Sequence, residues 1–194
     1  MPVDPTGRPL LDCGQHTGSK LEGVIEIRTI ESPIGTLTLA VRGGRLCVLH
    51  FGSDNRSIRA SLRRWYPDEP PDGPIDTRCG VEAVEAILAR YFAGETDALD
   101  GIDVEMNGTS FQRRVWAALR DVKAGTTASY GEIARRIGAT SSVRAVGAAN
   151  GANPVAIVVP CHRIIGGNGS LTGYGGGLER KQWLLRHERA PALF

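Results

Sequence analysis

Ser129-Tyr130-Gly131-Glu132-Ile133-Ala134-Arg135-Arg136-Ile137-Gly138-Ala139-Thr140-Ser141-Ser142-Val143-Arg144-Ala145-Val146-Gly147-Ala148-Ala149-Asn150-Gly151 is the stretch on which the fold of this chain turns. Ser129 is placed to cap a helix, and Glu132, at the third helical position, completes a capping-box pattern. Gly138 stops that helix, and Ser141 or Ser142 starts a second one that runs to about Asn150. Helix, short glycine-containing turn, helix is the pattern of a helix-turn-helix, although an αα-hairpin in a bundle gives the same string. Charge separates the two. From Met1 to Thr109 there are 11 basic against 17 acidic side chains, a net of −6. From Ser110 to Phe194 there are 12 against 4, a net of +8. A basic half carrying this pattern favours a polyanionic partner, double-stranded DNA, over the plainer reading of a merely solvated basic face.

The second helix has an unusual composition for a DNA reader. Between Val143 and Gly151 only Arg144 has a long polar side chain. Reading base edges in the major groove needs several Arg, Asn or Gln side chains. A surface of small residues, Ala145 and Ala148 among them, instead lets the backbone approach another surface closely: either tight packing in the core, or a narrow minor groove where Arg144 alone reaches the base stack. A protein that must reach a base without reading sequence has this composition.

Downstream lies Ala156-Ile157-Val158-Val159-Pro160-Cys161-His162-Arg163-Ile164-Ile165. The apolar run Ala156 to Val159 predicts a buried strand that Pro160 ends, because proline has no N–H for a ladder. The chain would then leave a core at a corner where a thiol and an imidazole are adjacent. Cysteine attacks as its thiolate, and a neighbouring base or positive charge makes that form available. His162 and Arg163 supply both. The plainer reading of Cys161 is a small buried residue.

Upstream, Thr109 or Ser110 caps a helix whose Phe111, Val115, Ala118 and Leu119 share a face, ending near Gly125. Asn107-Gly108 marks a domain boundary. Before it, Ile25 to Thr29, Leu37 to Val41 and Leu46 to Phe51 alternate as three strands of an antiparallel meander. Ser57 to Tyr66 and Val81 to Phe92 have helical apolar stripes. Residues 1–23, rich in Pro, Gly and polar side chains, read as a flexible extension. The expected architecture is α+β: an N-terminal α/β domain over 24–106 with a small antiparallel sheet, and a mainly helical, winged-helix-like domain over 107–194.

No apolar run approaches the roughly 20 residues of a membrane span, and there is no signal-peptide pattern. The four cysteines are spaced too irregularly for a disulfide framework, so a reducing cytoplasm is the expected compartment. Cys13-x-x-His16 and Cys47-x-x-His50 could together supply four zinc ligands. Cys47 and His50, three apart on a strand, should face opposite ways, however. No metal and no cofactor is expected.

Phe111-Gln112-Arg113-Arg114-Val115-Trp116, Ser129-Tyr130-Gly131-Glu132-Ile133-Ala134, Arg144-Ala145-Val146-Gly147, Asn153-Pro154, Pro160-Cys161-His162-Arg163 and Gly173-Tyr174-Gly175-Gly176-Gly177 together resemble the O6-alkylguanine-DNA alkyltransferases. The match spans residues 110–190 and is weaker over Ser32-Pro33-Ile34-Gly35 and Tyr91-Phe92-Ala93-Gly94. The resemblance implies irreversible transfer of an alkyl group from O6 of guanine to Cys161, once per molecule. It implies His162 as base through a water, oriented by Glu188. Asn153 would orient the turn that carries Cys161, and Tyr130 would donate to the leaving purine. Arg144 would fill the gap left by the flipped nucleotide, with Ala145, Ala148, Ser129 and Arg163 also at the DNA. Tyr174, Gly175, Ile164 and Lys181 would line the base pocket. Some members have a serine at the position of Gly175, so here only the backbone amide could contact O6. The protein is expected as a monomer on the minor groove with little sequence preference, cooperative assembly being left open. The alternatives are a non-catalytic protein that binds alkyl lesions and a DNA-binding regulator.

Overall fold

A computed structural model describes residues 25–68 and 80–189. The expected extension over 1–23, with Cys13 and His16, lies outside the described residues. Three strands, β1 (Ile25–Ile30), β2 (Leu37–Arg42) and β3 (Arg45–Phe51), form an antiparallel sheet in the order β1-β2-β3. Gly43 and Gly44, both at positive φ, make the tight turn that pairs Arg42 with Arg45. Strand alternation, broken by a bulge opposite Ala40 and Val41 that puts the neighbours Cys47 and Val48 on one face, then divides the side chains. Leu37, Leu39, Val41, Leu46 and Leu49 enter the main core, while Ile25, Ala40, Cys47 and Val48 face helix α1 (Asn55–Trp65) through Ile58, Leu62 and Tyr66.

Helix α1 begins two residues before Ser57 because Asp54 accepts the Arg56 N–H at 3.0 Å and serves as cap. Helix α2 covers Val81–Phe92, with Val81, Val84, Leu88 and Tyr91 buried as its stripe predicts. Of the two candidate caps for α3 (Ser110–Arg120), Thr109 is the one used, in a full capping box with Gln112. That helix stops at Arg120, before the expected Gly125.

The deciding stretch forms β4 (Ala128–Ser129), α4 (Tyr130–Arg136), a short 3-10 turn at Thr140–Ser142, and α5 (Val143–Gly151). Ser129 and Glu132 make the predicted capping box. Gly138 takes φ +68°, a conformation costly for any residue with a Cβ, where the chain turns. Ser142 precedes α5 but makes no side-chain cap. Trp116 of α3 donates its indole N–H to the Ala149 carbonyl at 2.8 Å, tying α3 to α5. The last elements are β5 (Ile164–Ile165), parallel to β4, and α6 (Leu178–His187).

The predicted strand over Ala156–Val159 is not formed. These residues make a buried turn with local bonds, Val158 N–H to Ala156 O at 2.8 Å and Val159 N–H to Val155 O at 2.9 Å. Ile157 sits at φ +71°, a rare and strained conformation for a β-branched residue, and its side chain is fully buried. The apolar run reported burial correctly and conformation wrongly. Among the described residues Val155 alone finds a partner strand: Leu49 of β3 donates to Pro154 O and accepts from Ala156 N–H. The N-terminal sheet is thus bonded to the turn that leads into Cys161, and one core cluster runs from β2 and β3 through α3, α5 and this turn.

Candidate active site

Pro160 ends the buried turn, and Cys161–Arg163 form a single 3-10 turn closed by the Arg163 N–H on Pro160 O at 3.0 Å. Pairing of β5 with β4, Ala128 opposite Ile164 and Ser129 opposite Ile165, then sets this corner beside the start of α4. Neither thiol nor imidazole faces open solvent: Cys161 is 6% exposed and His162 0%.

Asn153, just after α5, fixes the thiol. Its amide Nδ2 donates to Val159 O at 2.8 Å and to Cys161 Sγ at 3.1 Å, while its Oδ1 accepts from Val155 N–H at 3.0 Å. A single side chain therefore pins both limbs of the turn and directs a donor at the sulfur. Burial pushes the Cys161 thiol up, opposed by the Asn153 hydrogen bond and the charge of Lys181. The resting state is a neutral thiol that needs a base.

His162 Nε2 lies 3.0 Å from Glu188 Oε1, and its Nδ1 is buried without a hydrogen-bond partner among the described residues. A ring that donates from Nε2 to a carboxylate keeps Nδ1 as its acceptor. Burial lowers the His162 pKa, with Glu188 pulling the other way, so the imidazole is neutral and able to take a proton. Glu188 caps α6 and is only 4% exposed. Burial disfavours its charge, but the hydrogen bonds from His162 and Arg163 outweigh this and hold the carboxyl far below the usual range.

Arg163, expected at the DNA, is buried instead. Its Nε donates to Glu188 Oε2 at 2.9 Å, its Nη2 to Glu188 Oε1 at 2.8 Å and its Nη1 to Val122 O at 2.6 Å. The fork geometry of the guanidinium matches a carboxylate, and that is where it goes. Tyr91, read from sequence only as part of an apolar stripe, donates its hydroxyl to the same Glu188 Oε1 at 2.8 Å.

Lys181 is fully buried, its ammonium bonded to Ile164 O at 2.5 Å and Thr172 O at 2.8 Å, and burial lowers its pKa to about 8. It ties α6 to β5 and to the loop before Tyr174. Tyr174 packs edge-on to Phe51 at 5.7 Å, and its buried hydroxyl has no partner among the described residues. Gly175 is exposed, with open space where a Cβ would stand, so a serine would fit there. Gly176 is different: a Cβ would come within 2.5 Å of the Phe51 ring.

On the outer surface Arg144, Ala145 and Ala148 are exposed along α5, with Val143 40% exposed. The Ser129 hydroxyl is taken up by Glu132 in the capping box. Tyr130 is half-buried, its ring 3.9 Å from the position a Cβ would take at Gly147. The Cys47 thiol is buried and donates to Ala40 O, while His50 is exposed. Among the described residues no group of three or more His, Cys, Asp or Glu could hold a metal. No helix among them is long and apolar enough to cross a membrane.

Residues 110–190 match the family model described as the 6-O-methylguanine DNA methyltransferase DNA-binding domain. The methylated-DNA–protein-cysteine methyltransferase of Mycolicibacterium paratuberculosis is 52% identical over 166 residues, covering 86% of this chain and 93% of that protein. The crystal structure of the Mycobacterium tuberculosis O6-methylguanine methyltransferase aligns with a TM-score of 0.68 at 44% identity, over 87% of this chain and 96% of that one. A structure from the same organism in complex with DNA aligns with a TM-score of 0.65 at 42% identity, over 86% and 95% of the two chains.

Proposed function

This chain belongs to the methylated-DNA–protein-cysteine methyltransferases, and from that premise we propose how its own residues carry out the repair of O6-alkylguanine in DNA. The protein repairs DNA by accepting the alkyl group on a cysteine, and that cysteine is Cys161. The observation that carries the assignment is its setting: a buried thiol with an amide donor on its sulfur, next to a neutral imidazole backed by a carboxylate.

The Cys161 proton passes through a water to His162 Nδ1. The imidazolium so formed is stabilised by Glu188, which accepts from Nε2. The thiolate attacks the alkyl carbon, an S–C bond forms as the C–O6 bond breaks, and the electron pair leaves on the purine. Tyr130 gives its proton to that purine, so guanine departs neutral; the phenolate regains a proton from water, to which the imidazolium releases the one taken from Cys161. Because a thioether has no facile reverse step, each molecule reacts once. A non-catalytic lesion binder has no use for a cysteine held this way.

The lesion reaches the thiol by leaving the base stack. The exposed Ala145 and Ala148 bring α5 close to the minor groove, and Arg144 occupies the space of the flipped nucleotide. Residues 107–194 then act as the DNA-binding and acceptor unit, used as a monomer, and 24–106 as its support. A reducing cytoplasm keeps the thiol free. Arg144→Ala is expected to slow repair in duplex DNA by roughly 10- to 100-fold, since stacking lost on flipping is no longer replaced. Transfer from a free O6-alkylguanine base should stay within about twofold, because no stack is opened. Single-turnover rates on the two substrates test this, and equal losses on both would remove Arg144 from the flipping role.

A further inference from the structure

We propose that Tyr91, on a helix far from the acceptor motif in sequence, is a positioning residue for alkyl transfer that sets the orientation and basicity of Glu188 toward His162. The inference rests on the Cys161–His162–Glu188 reading above. Glu188 Oε1 is shared by three donors: His162 Nε2 at 3.0 Å, Arg163 Nη2 at 2.8 Å and the Tyr91 hydroxyl at 2.8 Å. Among the described residues, its other oxygen takes the Arg163 Nε alone, at 2.9 Å. Tyr91 and His162 therefore compete for one atom. Each hydrogen bond a carboxylate receives from elsewhere leaves it a weaker acceptor for the imidazole.

The hydroxyl is held in place independently of that bond. The Tyr91 ring packs edge-on against Phe92 at 5.2 Å and His187 at 5.0 Å. The Tyr91 carbonyl also accepts from His187 Nε2 at 2.7 Å, one residue before Glu188. Helix α2 thus grips the end of α6 through its backbone and reaches past that grip to the carboxylate. Burial and the neighbouring Glu188 push the phenol far up, so it stays a donor wherever the protein is folded. The other ionisable groups around this cluster are Arg163, Lys181, Tyr174, Cys161 and His187, and all of them remain when only the hydroxyl is removed.

The test is the pH dependence of single-turnover transfer from an O6-methylguanine duplex by the full chain. Tyr91→Phe keeps the ring and removes the donor. Its rate near neutrality should fall roughly 3- to 10-fold, because the carboxylate is less well held. The acidic limb should move up by about half a pH unit, because His162 no longer shares Oε1. Val84→Ala weakens the packing of the same helix two turns away from the hydroxyl. It should lower the melting temperature and leave the limb in place. 3-Fluorotyrosine at position 91, a stronger donor of nearly equal size, should move the limb down, which keeps the proposal testable if Tyr91→Phe folds poorly. An unchanged rate and limb in Tyr91→Phe, or an equal shift in Val84→Ala, would overturn it. Failure of the wild-type protein to alkylate Cys161 would instead overturn the reading on which it rests.

Discussion

Cys161→Ala is expected to reduce alkyl transfer to the uncatalysed background while leaving affinity for duplex DNA within about twofold. The thiol is the acceptor, so nothing else in the site can complete the reaction. The His162–Glu188–Arg163 cluster makes its hydrogen bonds without the sulfur, and Asn153 keeps its bonds to Val159 and Val155. The exposed face of α5 is likewise untouched, since Cys161 is buried and Arg144, Ala145 and Ala148 are not. Fluorescence anisotropy on a lesion-containing duplex measures the affinity, and transfer of labelled methyl measures the reaction. Label appearing on the alanine variant would place the acceptor elsewhere.

The second large effect is on stability. Arg163→Met is expected to cost about 3–5 kcal/mol, because it leaves the buried Glu188 carboxylate without its bidentate partner. Against the roughly 5–15 kcal/mol that holds a domain folded, this puts the variant near its unfolding threshold. Urea titration of the two proteins measures the difference. A loss under about 1 kcal/mol would mean that the pair is worth no more than an exposed one. The same cluster makes the wild-type protein sensitive to acid. His162 has a lowered pKa when folded, so the unfolded chain binds the extra proton first, and stability falls as pH drops below the free-histidine value of about 6.5. Glu188 adds its own loss below about 4.3, its unfolded value, as the pH falls toward its depressed folded one.

Local chemistry made much of this molecule readable before any coordinates. The Ser129–Glu132 and Val81–Phe92 patterns are set within one or two helical turns, and both appear as expected. The site was harder where the answer depends on distant parts of the chain. Ala156 to Val159 are strand formers by composition, yet the ladder they would need is offered only to Val155, so they turn instead. Arg163 carries the charge a DNA surface wants, and its neighbours in sequence do not reveal that Glu188 lies behind it rather than a phosphate in front. Tyr91 fits an apolar stripe perfectly well. Only the packing of α2 against α6 shows that its hydroxyl ends on the carboxylate. The one hint in the sequence is its place in Tyr91-Phe92-Ala93-Gly94, a segment of the family resemblance.

Intact-mass spectrometry of the protein after incubation with an O6-methylguanine duplex tests the acceptor role of Cys161 most directly. The expected result is a single added methyl group per molecule, located by peptide mapping to Cys161, with no further increase on longer incubation or with excess DNA. Continued demethylation of DNA by unmodified protein, or a methyl group on any other residue, would contradict it.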